Sequence, residues 1–490
     1  MIPWAELVLP ALRWDEERGF APCLEDAERA LALGVGGFII FGGERAAVRK
    51  LVADLQAAAP HDLLIASDLE RGAGQQVKEL AQLPPLRGLA ELGTDVVREA
   101  ARLTAREARD VGINFVFAPV VDLDVEPLNP IVQTRAFGDD PEQVGALGAA
   151  WIRACQAGGV LACAKHYPGH GRTVTDSHAG LPVVASSRLT LDADLVPFRM
   201  ASEAGVAAVM TAHVAYPALD PSGAAATFSP RIVKDLLRRE VGFDGLVVTD
   251  ALVMEGALAG HDEARAAVKA LQADVDLLLY PRDVARVAHA LEDAARSGEL
   301  DGDLLETAAM RRREAVERVA EAVTLEDDDL AEDAEQGQAM RAAAVRVLRG
   351  AAPTVPRRVR LAVIDDDAGG PYPLAPRSGF AQRLRAQGVE VEEVAAAPGG
   401  EGWGAPRGAG PGEAPPLLAL VFCDVKSWKG RAGLSREHAA LLAELAPSAS
   451  AVVLFGHARR LADVPGTAPV LCAWTGDAGM QAAAAARLLG

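Results

Sequence analysis

The sequence of 490 residues has few aromatic residues, few cysteines and no excess of positive charge. Aromatic residues make up only 4% of the chain, whereas Ala, Leu, Val, Gly and Arg are abundant. The five cysteines are an odd number without a CxxC pair, so buried free thiols are favoured over disulfides or a zinc site. The formal net charge of −19 argues against a nucleic-acid-binding protein, which needs a basic face.

Long hydrophobic runs are also missing. No apolar run reaches the length of a membrane span, and the N-terminal segment lacks the basic region of a secretion signal. Half of the residues are hydrophobic and a quarter are charged, as in soluble globular proteins. The expectation is therefore a cytoplasmic protein without a membrane span.

Short apolar runs alternate with Ala/Leu/Arg/Glu-rich helical stretches over roughly the first 320 residues. This alternation predicts an α/β fold, a (β/α)8 TIM-type barrel, in which each apolar run is a buried strand. A doubly wound sheet is the alternative, although it would not usually need eight such units. The predicted strands are Ala5–Pro10, Gly36–Gly42, Leu63–Asp68, Asn114–Asp122, Leu161–His166, Ala207–His213, Leu246–Asp250 and Val275–Pro281.

The rest of the chain reads as a smaller α/β sandwich domain. Residues 1–325 form the predicted barrel, 326–355 a helical and acidic linker, and 356–490 the second domain. The acidic run 326–336 is interpreted as a solvated linker or an exposed helix face, and Met340–Leu348 as a helix. For Asp365–Asp367 and His457, the only candidate polar residues of this half, turn or surface roles are expected.

The segment Lys165–His178, KHYPGHGRTVTDSH, has the highest density of titratable residues in the chain. Lys165 and His166 emerge from a predicted buried strand, and the following glycines and proline favour a loop. Asp176 and His178 stand two residues apart on that loop, which suits a proton-transfer pair. The alternative is a polar surface loop that caps a helix, but a cap needs only one Asp or Ser.

Other polar residues stand where predicted barrel strands end. In a barrel, the carboxyl ends of the strands meet at one mouth, where active sites form. Barrel mouths are polar in any case, so a single residue of this kind carries little weight. The strand-end residues are Asp68, Asp122, Lys165 with His166, His213 and Asp250.

Asp250 at a strand end and His178 on the loop together suit the hydrolysis of a glycosidic bond with retention of configuration. Asp250, at the tip of an apolar strand, could attack the anomeric carbon, and His178 could protonate the leaving oxygen and later activate water. Asp176 would orient His178 and raise its basicity. Hydroxyl groups of the sugar would be bound by Asp68, Arg135, Lys165 and His166.

The chain resembles glycoside hydrolase family 3, in its β-N-acetylglucosaminidase branch. KHYPGHG followed by DSH is the most specific motif of that group, and further matches follow in the order of the family. A run of Asp-Gln-Glu-Gly-Gly-Arg would be expected at Asp68, where this chain has Asp-Leu-Glu-Arg-Gly-Ala. The other matching segments are Ser67–Gly72, Gly112–Asp124, Thr134–Gly138, Met210–Asp220 and Val247–Gly256.

The resemblance implies a retaining mechanism with Asp250 as nucleophile and with His178 and Asp176 as the acid/base dyad. It implies that Asp68, Arg135, Lys165 and His166 bind the sugar, and that no metal or organic cofactor is needed. The substrates of this branch are β-linked GlcNAc units, often from cell-wall (muropeptide) recycling. Muropeptides, chitin fragments and glycolipids all remain possible substrates.

Four alternatives stay open at this point. Phosphate could replace water as the acceptor, because a histidine acid/base repels an anion less than a carboxylate does, which would make the protein a glycoside phosphorylase. A β-glucosidase would use the same site on a different sugar. Lys165 could form a Schiff base, although the neighbouring histidine disfavours that chemistry. A catalytically inactive sugar-binding protein is disfavoured because both catalytic groups are present.

Overall fold

The structure is a computed structural model that describes residue 2 and residues 4–175, 180–258, 262–369, 375–396, 414–426 and 429–489. Two separate parallel arrangements of strands dominate it, one in each half of the chain. The first comprises β1 (Val8–Leu9), β2 (Ala11–Arg13), β3 (Gly37–Phe41), β4 (Leu64–Ser67), β5 (Phe115–Val116), β6 (Leu161–Tyr167), β7 (Ala208–Thr211), β8 (Leu246–Val248) and β9 (Leu278–Leu279).

These strands close into a (β/α)8 TIM-type barrel. β2 to β8 form one parallel sheet in chain order, and β9 pairs in parallel with β1. A parallel bridge between Val248 and Leu277 connects β8 to β9. Pro10 separates β1 from β2, and its carbonyl oxygen still accepts a hydrogen bond from the amide of Ile39 at 2.8 Å. Each of the eight predicted segments contains a strand of the barrel. The first segment, Ala5–Pro10, holds only β1, because Ala5–Leu7 forms a 3-10 helix and β2 begins just after the segment.

Helices surround the barrel, and some of them begin at a side chain that caps the first turn. The carboxylate of Asp140 accepts a hydrogen bond from the amide of Gln143 at 2.8 Å, and Pro141 occupies the first helical position. The helices are α1 (Leu24–Leu33), α2 (Arg45–Ala58), α3 (Leu86–Ala90), α4 (Thr94–Asp110), α5 (Pro141–Ala157), α6 (Arg188–Glu203), the π-type helix Arg231–Glu240, α7 (Glu255–Leu258), α8 (Glu263–Gln272), α9 (Val284–Ser297), α10 (Gly302–Glu317) and α11 (Asp327–Ala344).

The second sheet is mixed and belongs to the smaller α/β sandwich domain. Its strands are β10 (Arg346–Arg349), β11 (Arg358–Asp365), β12 (Glu390–Val394), β13 (Leu417–Cys423), β14 (Ala451–Gly456) and β15 (Val470–Cys472), in the order β10-β15-β14-β13-β11-β12. Only β10 runs antiparallel to its neighbour. Helices α12 (Gly379–Ala386), α13 (Arg436–Leu445) and α14 (Ala478–Leu489) accompany this sheet.

Two local expectations are corrected. The acidic run 326–336 lies in α11, as its helical interpretation predicted, but that helix ends at Ala344 and β10 begins at Arg346. The helix predicted over Met340–Leu348 is therefore wrong in its second half. Asp366 and Asp367 lie in a turn, as expected, although both are buried. The surface role expected for His457 is wrong, because this side chain is also buried.

Trp474 links the second domain to the barrel. Its side chain is completely buried, and its indole Nε1 donates a hydrogen bond to the carbonyl oxygen of Ala344 at 2.7 Å. The ring lies against α3, because a Cβ atom at Gly88 would approach Trp474 Cδ1 to 3.1 Å. A second contact between the domains places His457 Nε2 3.0 Å from the carboxylate of Asp124.

Glu107, on α4 where it meets α11, is an acid buried at 1% exposure. Both of its carboxylate oxygens accept the amide hydrogen of Ala81, at 2.9 and 3.0 Å. Burial raises the pKa of Glu107 to about 8, and the neighbouring Asp333 adds to that shift. Because the folded state holds this proton more tightly than the unfolded state, Glu107 stabilises the fold at low pH, and that stabilisation is lost as the pH rises towards 8.

We therefore predict that Glu107→Gln makes the melting temperature less dependent on pH. The neutral amide cannot ionise, so the variant should exceed the wild type in stability at pH 8 by roughly 1–3 kcal/mol and match it at pH 5. Thermal unfolding at both pH values measures this difference. Glu99→Gln, an exposed site on the same helix, is the control. Equal pH dependence of the wild type and Glu107→Gln would contradict the prediction.

Candidate active site

A cavity of about 150 Å³ opens at the carboxyl ends of the barrel strands. Polar side chains from four different parts of the barrel sheet border it, together with an apolar wall. It is lined by Ile39, Phe41, Asp68, Phe117, Ile131, Arg135, Lys165, His166, His170, Met210, Asp250, Ala251, Leu279 and Tyr280. The topology of the barrel thus unites residues that lie up to 241 positions apart in the chain, from Ile39 to Tyr280.

Lys165, near the end of β6, is held between two carboxylates. Its Nζ lies 2.6 Å from Asp68 Oδ1 and 2.7 Å from Glu70 Oε1, and the lysine is only 2% exposed. Burial alone would lower the pKa of Lys165, but the charges of Asp68 and Glu70 outweigh burial and raise it above its ordinary value. Lys165 is therefore a fixed ammonium ion rather than a neutral amine that could form a Schiff base.

Glu70 also binds Arg135 through two parallel hydrogen bonds. Arg135 Nε and Nη2 donate to the two carboxylate oxygens at 2.9 and 2.7 Å. Burial would raise the pKa of Glu70, but the cations Arg135 and Lys165 lower it well below its ordinary value. Such bidentate pairs fix the plane of the guanidinium group, so the remaining donors of Arg135 keep a constant direction.

His166 is oriented by a completely buried carboxylate. Its Nδ1 lies 2.7 Å from Asp122 Oδ2, while Asp122 Oδ1 accepts hydrogen bonds from the amides of His166 and His170 at 3.1 and 2.6 Å. Burial would raise the pKa of Asp122, but the adjacent His166 lowers it. With Nδ1 engaged in this way, Nε2 of His166 is the ring nitrogen left for a ligand.

His170 is the second histidine of the cavity, and it is kept neutral. Burial and the neighbouring His166 lower the pKa of His170 to about 4. Its Nδ1 lies 2.8 Å from the hydroxyl of Thr173. A histidine with this pKa carries no charge at neutral pH, so it contributes a hydrogen-bonding group and not a cation.

Asp250 follows β8 and borders the same cavity. Its side chain is partly exposed, and Oδ1 accepts a hydrogen bond from the amide of Ala251 at 2.7 Å. The preceding strand is fully buried, so the carboxylate is carried on a rigid support. A carboxylate held in this way can present one oxygen to an electrophilic carbon.

The apolar wall of the cavity is stabilised by Arg13, at the end of β2. The guanidinium carbon of Arg13 lies 4.2 Å from the centre of the Phe41 ring, and Nε donates to the hydroxyl of Tyr280 at 2.6 Å. Phe41 and Tyr280 line the cavity. An aromatic surface opposite charged groups suits a sugar, which has an apolar face and a polar rim.

The structure brings five of the seven predicted site residues together. Asp68, Arg135, Lys165, His166 and Asp250 all border the cavity. The two others, Asp176 and His178, lie outside the described residues.

Two strand-end residues lie elsewhere. Asp122 stands behind His166 and does not border the cavity. His213 is also absent from its lining, and its Nδ1 lies 2.9 Å from the hydroxyl of Thr227. Asp122 therefore acts on the cavity only through the ring of His166, which it orients.

Glu70 is the main residue that the sequence interpretation missed. It stands two positions after Asp68 in Ser67–Gly72, a segment already noted for its similarity to the family. The useful signal was that Lys165 and Arg135, once placed at the barrel mouth, cannot be buried without counter-charges, and Asp68 alone cannot supply two. Sequence spacing alone does not show that one carboxylate serves both Lys165 and Arg135.

The sequence profile of the glycosyl hydrolase family 3 N terminal domain matches residues 12–319, which is more than half of the chain. The chain belongs to glycosyl hydrolase family 3. The resemblance predicted from the sequence motifs is thereby confirmed. The matched region covers the barrel from β2 to the end of α10.

Two named proteins are similar in sequence to this chain. A β-N-acetylglucosaminidase/β-glucosidase of Cellulomonas fimi is 36% identical over 329 residues, which are 63% of this chain and 58% of that protein. A β-hexosaminidase of Pseudomonas aeruginosa is 40% identical over 265 residues, 52% of this chain and 78% of that protein.

A solved structure matches nearly the whole chain. It is a glycoside hydrolase family 3 β-N-acetylglucosaminidase from Paenibacillus sp. FPU-7, with a TM-score of 0.82 and 28% identity, and the match covers 99% of this chain and 96% of that one. Both domains of the fold therefore occur together in another family 3 protein. No helix among the residues described for this chain is long and apolar enough to cross a membrane.

Proposed function

We propose that the protein is a retaining β-N-acetylglucosaminidase that removes terminal β-linked GlcNAc. The observation that carries the proposal is the shared cavity, where Asp250 borders the same space as Asp68, Arg135, Lys165 and His166. Glycoside hydrolysis agrees with the family, and the choice of GlcNAc is supported by the names of the Pseudomonas and Paenibacillus proteins.

In the first step, a carboxylate oxygen of Asp250 attacks the anomeric carbon while the bond from that carbon to the leaving oxygen breaks. The protonated His178 gives its proton to the leaving oxygen, so the aglycone departs as a neutral alcohol. In the second step, His178 takes a proton from water, water attacks the anomeric carbon, and Asp250 is released. Asp176 positions His178 in both steps.

The remaining groups would hold the sugar. The carboxylate of Asp68 accepts hydrogen bonds from sugar hydroxyls, while Arg135 and Lys165 donate them. Since Glu70 and Asp122 already hold Arg135, Lys165 and His166 in place, little conformational freedom is lost on binding. Such preorganisation favours the transition state over the free substrate.

The charge balance of the site favours water over phosphate as the acceptor. Among the described residues that line the cavity, the lysine and the arginine are Lys165 and Arg135, and when Asp250 is esterified by the sugar they remain paired with the carboxylates Asp68 and Glu70. The two cations are thus already neutralised, and a dianionic phosphate would meet no uncompensated positive charge among them. A phosphorylase needs such a charge to hold its acceptor.

We predict that the purified protein hydrolyses aryl β-GlcNAc with a kcat/KM at least about tenfold above that for aryl β-glucoside, because contacts to the acetamido group add discrimination. The assay is run with and without phosphate, and proton NMR follows the anomer formed first. GlcNAc with the β configuration is expected. GlcNAc-1-phosphate as the main product would establish a phosphorylase, preference for glucoside a glucosidase, and initial α-GlcNAc an inverting enzyme.

We further propose that the barrel, linker and second domain divide at residues 325 and 356, and that the enzyme acts in muropeptide recycling in the cytoplasm. The division is supported by two separate sheets, although β10 of the linker segment joins the second one. The biological role rests on the family resemblance. Cell fractionation, together with accumulation of GlcNAc-containing muropeptides in a deletion strain, tests it.

A further inference from the structure

The loop between β5 and α5 forms part of the barrel mouth and also contacts the second domain. Ile131 and Arg135 of this loop line the cavity that contains Asp250. Nearer its start, the carboxylate of Asp124 lies 3.0 Å from Nε2 of His457 and is paired with Arg459, both from the second domain. The loop therefore connects the lining of the cavity to the second domain.

Gln133 is a second point at which this loop contacts the second domain. Its side-chain Nε2 donates to the carbonyl oxygen of Asn129 at 2.7 Å and to that of Ala432, in the second domain, at 3.1 Å. The side chain is only 2% exposed, so water cannot readily replace these hydrogen bonds if they are lost. One buried amide thus joins the loop both to itself and to the second domain.

The backbone at Gln133 depends on such contacts. Its φ angle is positive, at 35°, which is a left-handed conformation that residues other than glycine rarely adopt. A conformation of this kind persists only where the surrounding structure holds it. Gln133 begins the 3-10 helix that ends at Arg135, so a change of backbone angle at Gln133 would move Arg135, two residues further on.

Arg135 tolerates little movement of this kind. Its guanidinium group donates two hydrogen bonds to Glu70, and its backbone amide donates to the carbonyl oxygen of Val132 at 2.8 Å. A bidentate pair requires that both N–H groups keep their direction towards the carboxylate. A displaced backbone would therefore break at least one of the hydrogen bonds between Arg135 and Glu70.

The segment that carries Ala432 is anchored within the second domain by Asp366. The side chain of Asp366 is completely buried and accepts hydrogen bonds from the amide of Ser435 at 2.9 Å and from Nη2 of Arg431 at 2.8 Å. Nζ of Lys429 lies 2.9 Å from the same carboxylate. Residues on both sides of Ala432 are thus held by one buried charge, which fixes the carbonyl group that faces the loop.

We propose that Gln133 is a positioning residue, through which the second domain holds Arg135 in the geometry that the sugar requires. The proposal rests on the proposed function, in which Arg135 donates hydrogen bonds to sugar hydroxyls. The carbonyl group of Ala432 keeps Gln133 in its left-handed conformation, and that conformation keeps Arg135 paired with Glu70. The second domain contributes to the reaction by holding a loop of the barrel.

The kinetic test replaces Gln133 by methionine, which has a similar length but no donor. Loss of the fixed position of Arg135 should lower kcat/KM on an aryl β-GlcNAc about tenfold. In an Arg135→Lys background, where the bidentate pair is already lost, Gln133→Met should lower kcat/KM by less than about twofold further. A role of Gln133 in stability alone would give the same factor in both backgrounds and would overturn the inference.

Two controls test whether the effect is specific. Gln338→Met, at an exposed glutamine of α11, is the matched control for the substitution. Arg346→Met breaks a different contact between the domains, the ion pair with Glu91. Both controls should retain the kcat/KM of the wild type. An equal loss in Arg346→Met would show that any weakened contact between the domains has this effect, and would overturn the specific role of Gln133.

Crystal structures of the wild type and of Gln133→Met measure the position of Arg135 directly. The variant should lose at least one of the two hydrogen bonds between Arg135 and Glu70. An intact pair overturns the inference, and so does an unchanged kcat/KM when the pair is broken. If the wild type does not hydrolyse the aryl substrate, the proposed function fails, and the two structures alone decide whether Gln133 positions Arg135.

A variant in the second domain covers the case in which Gln133→Met does not fold. Arg431→Met removes one partner of Asp366 at a position that is 40% exposed, so it loosens the segment around Ala432 with less effect on the core. Its kcat/KM should fall about threefold in the wild type and stay constant within error in Arg135→Lys. An unchanged kcat/KM in Arg431→Met would then overturn the inference.

Discussion

Replacing Asp250 by alanine is expected to lower kcat on an aryl β-GlcNAc roughly ten-thousand-fold. The physical reason is that the carboxylate forms the covalent bond to the sugar, and no other described carboxylate of the cavity is carried at the tip of β8. Asp68, the other carboxylate that lines the cavity, is already bound to Lys165. Turnover is measured together with thermal unfolding, because the variant should keep its fold.

Adding azide to the Asp250→Ala variant tests the role of Asp250 as nucleophile more directly. The alanine leaves space for a small anion, which can attack the anomeric carbon from the face that Asp250 occupied and yield an α-glycosyl azide. Asp235→Ala removes an exposed carboxylate on the helix Arg231–Glu240 and serves as the control, since its surface ion pair contributes little. Unchanged turnover in Asp250→Ala would refute its assignment as nucleophile.

Replacing Glu70 by alanine is expected to destabilise the fold by roughly 3–5 kcal/mol, which corresponds to a decrease of roughly 5–15 °C in melting temperature. Removal of this carboxylate leaves Arg135 without its partner and Lys165 with Asp68 alone, in a region where both cations are poorly hydrated. Activity should also fall, because these cations then lose their fixed positions. Thermal unfolding and kcat/KM are measured on the same preparations.

Two further variants make the Glu70 result interpretable. Glu70→Gln keeps the shape and one acceptor oxygen but not the charge, so its stability should lie between those of the wild type and Glu70→Ala. Glu99→Ala, at an exposed helix position, should change stability by less than roughly 0.5 kcal/mol. If Glu70→Ala melts at the wild-type temperature, burial of Arg135 and Lys165 does not require this carboxylate, and the prediction is wrong.

The barrel was largely predictable because its strands are short, buried on both faces and regularly separated by amphipathic helices. Some helices carry clear end signals in the sequence, such as Pro141–Ala157, which begins at a proline and is followed by two glycines. The strand Glu390–Val394 was missed because it is an edge strand with three glutamates and no apolar alternation. The helix predicted over Met340–Leu348 failed because pairing with β15 outweighs the local helical propensity after Ala344.

From the pattern of apolar and polar residues alone, the site residues that could be predicted are those at the ends of predicted strands. Asp68, Lys165, His166 and Asp250 each end an apolar run, and barrel topology then places them together. Glu70 has no such signal, because its importance comes from two partners at distant positions of the chain. Asp424 and Lys426 of the second domain border a cavity together with Asp68 and Arg135 of the barrel. This arrangement depends on how the two domains pack, which no local pattern of the sequence encodes.

The position of Trp474 has a consequence for how the protein unfolds. This side chain belongs to one domain, yet its burial depends on Gly88 of α3 and on the carbonyl of Ala344 in α11. Unfolding of the barrel would remove α3 from the indole, and unfolding of the second domain would separate the indole from both α3 and the carbonyl of Ala344. Part of the free-energy cost of exposing this side chain therefore arises when either domain unfolds, which links the melting of the barrel to the melting of the second domain.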